Sequence, residues 1–176
     1  MKTEIRLSIA EKIPFAGGME FGETGPYERI KGRVHFAVDP GEQAYSGITD
    51  LDKAPLNKMG LVDYSTDFLI LKPLELEKGN RRIFFDWGNR GNIRALQFFN
   101  DAVGSNDPQT LEEAGNGFLF RRGYSVVFAG WQGDLLAGNG RFLMDLPVAT
   151  EQGKPITGLV RCEYILEEEV VTTQPL

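Results

Sequence analysis

The stretch Arg82-Ile83-Phe84-Phe85-Asp86-Trp87-Gly88-Asn89-Arg90-Gly91-Asn92 decides the fold. Ile83-Phe84-Phe85 is an apolar run of strand type, and the Gly- and Asn-rich residues after it are turn formers. Beyond them the period changes. Ile93, Leu96 and Phe99 recur at helical spacing, with Phe98 and Ala102 beside them. Tyr124 to Ala129 then returns as a continuous apolar strand around Val126-Val127-Phe128. A strand, a helical region and a second strand predict a right-handed crossover and a parallel pair. The fold class read from this core is α/β.

Between the two strands a second helix is expected. Asp107-Pro108 offers proline at a first helical position, and Thr110-x-x-Glu113 offers a capping box. Glu112 and Glu113 in the first turn and Arg121 and Arg122 in the last suit the helix dipole. Gly123 is a natural stop, while Gly115 and Gly117 each weaken the helix by roughly 1 kcal/mol.

Upstream the chain reads as β structure. Glu4 to Ile9 alternates strictly, with Ile5, Leu7 and Ile9 on one face. After a turn-rich stretch, Tyr27 to Val38 is a strand with Val34, Phe36 and Val38 sharing a face. Ile48 to Asp63 is irregular. Asp67 to Pro73 reads as a buried strand, and Lys78-Gly79-Asn80 would let it pair with Arg82–Asp86 as a hairpin. Downstream, β-like alternation returns around Gly158 to Ile165, and Glu167 to Thr173 carries no stop signal. The expected division is a β-rich part over 1–75, a strand–helix–strand core over 76–134 and a β-rich tail over 135–176.

The 176 residues suffice for one domain with a core, and 41% hydrophobic and 25% charged residues are values of a globular chain. The net charge of −6 is spread with both signs mixed, so no basic patch for nucleic acid is present. No run approaches the ~18 apolar residues of a membrane span, and Met1 to Ala10 lacks the apolar stretch of a secretory signal. A cytoplasmic location is therefore the expectation. The one cysteine, Cys162, excludes an internal disulfide and reads as a packed thiol.

Three stretches together carry a resemblance: Phe15-Ala16-Gly17-Gly18 through Val38-Asp39-Pro40, Asn89-Arg90-Gly91-Asn92, and Gly117-Phe118-Leu119-Phe120-Arg121-Arg122-Gly123-Tyr124 running into Gly130-Trp131-Gln132-Gly133-Asp134. Ile48 to Asp52 and Pro147 to Thr150 fit as well. In order and spacing this resembles the N-terminal portion of a bacterial family of large α/β-hydrolase-domain proteins, mostly of unassigned substrate. The resemblance implies a β-rich N-terminal element feeding the first strands and helices of a hydrolase sheet. It also implies that the serine nucleophile, the catalytic acid and the histidine lie in a continuation beyond Leu176.

The residues agree that this chain holds no triad. A nucleophile elbow needs glycine two residues to either side of the serine. None of Ser8, Ser46, Ser65, Ser105 and Ser125 has both. The single histidine, His35, lies on the polar face opposite Val34 and Phe36 and precedes every strand–helix elbow, the wrong order for this fold. In α/β-hydrolases one oxyanion donor comes from the loop after the third core strand. Trp87 to Asn92 occupies that place in the pattern, making Asn89, Arg90 and Gly91 candidates, with Arg90 suited to a carboxylate. The alternative is a plain strand-to-helix turn with Asn89 or Asn92 as N-cap. Trp131 and Asp134 follow a strand at the end where α/β ligands gather, as pocket wall and orienting group or as an ordinary loop.

Asp50 and Asp52 do not match a calcium loop, one histidine and one cysteine make no transition-metal set, and no phosphate loop occurs. Neither metal nor cofactor is expected. The resemblance implies that the function is part of a serine hydrolase acting on an ester or similar acyl bond, inactive without the rest of the fold. The rival is a non-catalytic binding or structural module. Expected partners are the remainder of the fold or a partner chain, a small ester-like substrate, and a further copy of the chain.

Overall fold

Three long antiparallel strands open the structure: β1 (Thr3–Pro14), β2 (Tyr27–Val38) and β3 (Val62–Pro73). This computed structural model describes residues 3–159 together with 161 and 163. Cys162, Glu167–Thr173 and most of the stretch expected to alternate over Gly158–Ile165 lie outside the described residues. β4 (Ile83–Asp86) follows, then α1 (Ala95–Asn100), α2 (Leu111–Ala114), α3 (Phe118–Arg121) and β5 (Ser125–Ala129). Three two-residue strands complete the described chain: β6 (Met144–Asp145), β7 (Thr150–Glu151) and β8 (Lys154–Pro155). The result is a mixed six-stranded sheet of order β1-β2-β3-β5-β4, with β6 on β3, and a separate β7–β8 pair.

The parallel pair is present: β4 and β5 run side by side from Ile83↔Ser125 to Asp86↔Phe128. The expected hairpin between Asp67–Pro73 and Arg82–Asp86 is not. β3 pairs with β5, which occupies the place between β3 and β4. Local turn chemistry at Lys78-Gly79-Asn80 is correct, but the turn is tied elsewhere. Asn80 donates its backbone N–H to Gly123 and its side-chain amide to the Arg122 carbonyl. That docks the turn on the end of α3 and leaves a gap one strand wide.

The single helix expected after Thr110 is two short turns. Thr110 and Glu113 form the capping box, so the start at Thr110 prevails over Pro108, which is buried instead. Gly115 at φ 59° and Gly117 at φ 69° then break the path between α2 and α3. Neither Asn89 nor Asn92 caps α1. Its first N–H groups, those of Arg94 and Ala95, both donate to the Asp86 carboxylate at 2.8 Å. The other oxygen of Asp86 takes the Gly88 N–H at 2.7 Å. The last residue of β4 therefore caps the helix that follows it.

All three helices lie on one face of the sheet. Leu69, Leu71, Val126 and Phe128 are buried there against Leu96, Leu119 and Phe120. Tyr27 closes this core, its hydroxyl donating to the carbonyls of Phe120 and Tyr124 at 2.9 Å each. Burial raises that phenol far above its ordinary range. Arg29 is fully buried in the same region, with its guanidinium on Glu11 and Asp107 and its Nε donating to the Pro108 carbonyl.

On the opposite face, among the described residues, a second small core forms at one end, where Val38 and Val62 pack with Ala54, Tyr45 and Leu51. Ile5, Leu7 and Ile9 share that face as expected, but at 64%, 60% and 58% exposure they do not bury it. By register, Ile30, Ile70, Val127 and Phe85 continue the same face across the sheet.

Candidate functional site

The carboxyl ends of β4 and β5 point the same way, so the loops after them lie side by side. The sequence candidates all sit on these two loops, and the structure joins them. Trp131 donates its indole N–H to the Gly88 carbonyl at 3.3 Å. Gln132 Oε1 accepts the Arg90 backbone N–H at 2.9 Å. Arg90 Nη1 donates to Asp134 Oδ2 at 2.7 Å. Asn89 and Asn92 exchange backbone hydrogen bonds at 2.8 and 3.0 Å, closing a tight turn over Arg90 (φ 51°) and Gly91 (φ 77°).

Arg90 is thus already committed to a carboxylate of its own chain, and its expected role of meeting a substrate carboxylate is occupied by Asp134. The same hydrogen bond holds the Asp134 carboxyl below its ordinary range. Both side chains remain more than half exposed, so the pair orients the loops more than it stabilises them.

Five backbone N–H groups run from Gly88 to Asn92, and four are engaged. Gly88 donates to Asp86, Asn89 to Asn92, Arg90 to Gln132 and Asn92 to Asn89. The Gly91 N–H donates to no described residue. Its residue is also fixed from behind, where the Gly91 carbonyl accepts the Phe142 N–H at 2.8 Å. A Cβ at Gly91 would meet Arg141 Cβ at 2.9 Å and both Leu135 Cδ1 and the Phe142 carbonyl at 3.0 Å. Left-handed φ and lack of room both require glycine here.

Asn106 is the residue that sequence reasoning missed. Its amide donates to Asn92 Oδ1 at 2.9 Å and to the Asn139 carbonyl at 2.8 Å, while its Oδ1 accepts the Ile93 N–H at 3.1 Å. It pins the 88–92 turn to the 138–140 turn from a third loop, and no local pattern announces that. Asp86 did carry a signal: an acid at the end of a strand, nine residues before the first residue of α1.

A separate groove lies elsewhere. It has a volume of about 1110 Å³ and runs over the β1–β2–β3 sheet, and none of Asn89, Arg90, Gly91, Trp131 and Asp134 lines it. Its wall at Leu146 nevertheless abuts Gly133, where an added Cβ would lie 2.8 Å from Leu146 Cδ1.

No family model, no curated protein and no solved structure matches this chain. The functional reading therefore stands on the site alone.

Proposed function

We propose that the chain forms the oxyanion side of a serine hydrolase acting on an ester or similar acyl bond. The observation that carries this reading is the Gly91 N–H. Among the described residues it is the one amide of its turn without an acceptor, the other four being engaged, and it lies beside the carboxyl ends of two adjacent parallel strands. Acyl transfer needs such a donor, rigidly held before negative charge develops on the carbonyl oxygen. Asn106, Gln132 and Phe142 supply the rigidity. Trp131, Asn89 and the Arg90–Asp134 pair then form the rim against which a substrate packs. No elbow serine occurs in residues 1–176, so the nucleophile comes from the remainder of the fold, in the same polypeptide or in a partner chain.

Fluorophosphonate labelling of the natural protein, followed by mapping of the adduct, tests this reading. It expects one modified serine outside residues 1–176, protected by a small ester substrate. Failure of any serine to label in folded protein overturns it. The rival, a non-catalytic binding or structural module, draws on the Arg90–Asp134 pair, which satisfies the two charged groups of the site without a ligand.

A further inference from the structure

One face of β2 carries a ladder of bases: Arg29, Lys31, Arg33 and His35 at alternate positions. Their neutralisation falls off along the strand. Arg29 is held by Glu11 and Asp107, and Lys31 by Asp107 at 2.6 Å. Arg33 is held differently. Its Nε donates to the buried Ser65 hydroxyl at 2.8 Å, which fixes the guanidinium. Among the described residues, however, its two terminal nitrogens reach only Asp67 at 3.7 Å and Asp145 at 4.0 Å, beyond hydrogen-bond length. His35 makes no hydrogen bond or ion pair with a described residue.

These last two rungs form the floor of the 1110 Å³ groove. The register adds a third donor. Arg6 on β1 lies directly opposite His35, which lies opposite Ser65 on β3. Directly opposed residues hold their Cβ atoms about 5 Å apart, and diagonal ones about 7–8 Å. Arg6, His35 and Arg33 therefore stand within one side-chain length of a common point. The only polar contact of Arg6 with a described residue is the Ser8 hydroxyl at 3.0 Å.

The acids of the groove are differently placed. Glu4, Asp63 and Asp145 line the groove but are exposed, Asp63 already accepts from the Asn57 amide at 2.7 Å, and Asp145 comes no nearer to Arg33 than 4.0 Å. Exposed charges are screened by water, whereas the half-buried Arg33 and His35 are screened less.

We propose that this groove binds a small carboxylate, held by Arg6, His35 and the terminal nitrogens of Arg33. A planar carboxylate accepts from a guanidinium fork on two oxygens, and Ser65 has already set the plane of the Arg33 fork. This site does not depend on the acyl-transfer reading of the 88–92 turn.

The test is titration of the full chain with succinate, followed by NMR. His35 is the sole histidine, so its imidazole signals report the groove without ambiguity. The expected result is saturable movement of those signals, no such movement with dimethyl succinate, and at least tenfold weaker binding in the Arg6→Gln variant. Arg6 is exposed, so that variant keeps the fold. Arg33→Gln should weaken binding further, with the amide spectrum showing whether β2 and β3 remain paired. Binding of dimethyl succinate, unchanged affinity in Arg6→Gln, or no saturation with succinate overturns the proposal. So does saturable binding of putrescine in place of succinate, because the exposed acids would then govern the groove.

Discussion

Arg90 and Asp134, on loops that follow different strands, meet at 2.7 Å and tie the carboxyl ends of β4 and β5 together. The pair has a stated pH dependence. The Asp134 carboxyl is depressed by the Arg90 hydrogen bond. A depressed folded-state value means that the contact contributes fully above the unfolded carboxylate value of about 3.9. The contribution is lost as pH falls through the lower folded value. NMR titration of the Asp134 carboxyl carbon should give a midpoint below 3.9, moving up toward it in Arg90→Gln. An identical midpoint in both proteins would remove the pair from the account.

A second acid-side loss comes from Asp107. Burial raises its carboxyl, but the Lys31 hydrogen bond and the Arg29 and Lys31 charges outweigh burial and hold it below the usual range. Breaking one side of a buried pair costs about 3–5 kcal/mol. Asp107 is 40% exposed, so screening reduces the expected cost of Asp107→Asn to roughly 2 kcal/mol at neutral pH. Urea denaturation should show that deficit at pH 7 and its disappearance as pH falls below the folded value of Asp107.

The two glycines Gly60 and Gly91 separate backbone strain from lack of space. Both have φ 77°, but nothing lies within 4 Å of a Cβ at Gly60, whereas three atoms lie at 3.0 Å or less at Gly91. Gly60→Ala should cost about 1 kcal/mol from φ alone. Gly91→Ala should cost about 3 kcal/mol, the excess coming from overpacking against Leu135, Arg141 and Phe142. Equal losses by thermal or chemical melting would mean that the 135–142 segment does not pack on the turn.

Asp86 receives three N–H groups, two of them from the start of α1. Asp86→Ala removes the cap and should destabilise by about 2 kcal/mol in urea. Circular dichroism and backbone amide shifts of Arg94 and Ala95 check that the loss begins at the helix start.

The bare sheet face makes an association prediction. Ile5, Leu7, Ile9 and Phe85 lie on one apolar surface without a covering layer among the described residues, and β4 is an open parallel edge. Such surfaces associate. Sedimentation of residues 1–176 should show concentration-dependent association, reduced in Leu7→Lys. A sharp monomer with a cooperative melt counts against it.

Much of this was legible where the signal is local. The strand at Ile83–Asp86, the return at Tyr124 and the Thr110 capping box are written in periodicity and cap chemistry, and the structure contains all three. What was not legible is long-range. The insertion of β5 between β3 and β4 depends on where the Asn80 turn docks, a contact 42 residues away. Strict alternation at Ile5, Leu7 and Ile9 reports a face, not whether anything covers it. The candidate loops were located by their place after strands, while their internal wiring through Asn106 and Gln132 spans up to 42 residues. Neither the Gly91 N–H, without an acceptor among the described residues, nor the Arg90 guanidinium, held by Asp134, follows from composition.

The most direct measurement replaces the Gly91 N–H alone. Semisynthesis of the natural protein with glycolate at position 91 converts that amide to an ester, keeps φ free and adds no Cβ. Alanine cannot serve, because it collides with its neighbours. Loss of one oxyanion donor costs on the order of 3 kcal/mol, or about a hundredfold in kcat. That fall in kcat for ester hydrolysis is expected with KM nearly unchanged, together with no turnover above buffer by residues 1–176 alone. Wild-type kcat in the folded glycolate protein would contradict it and leave the 88–92 turn as structure only.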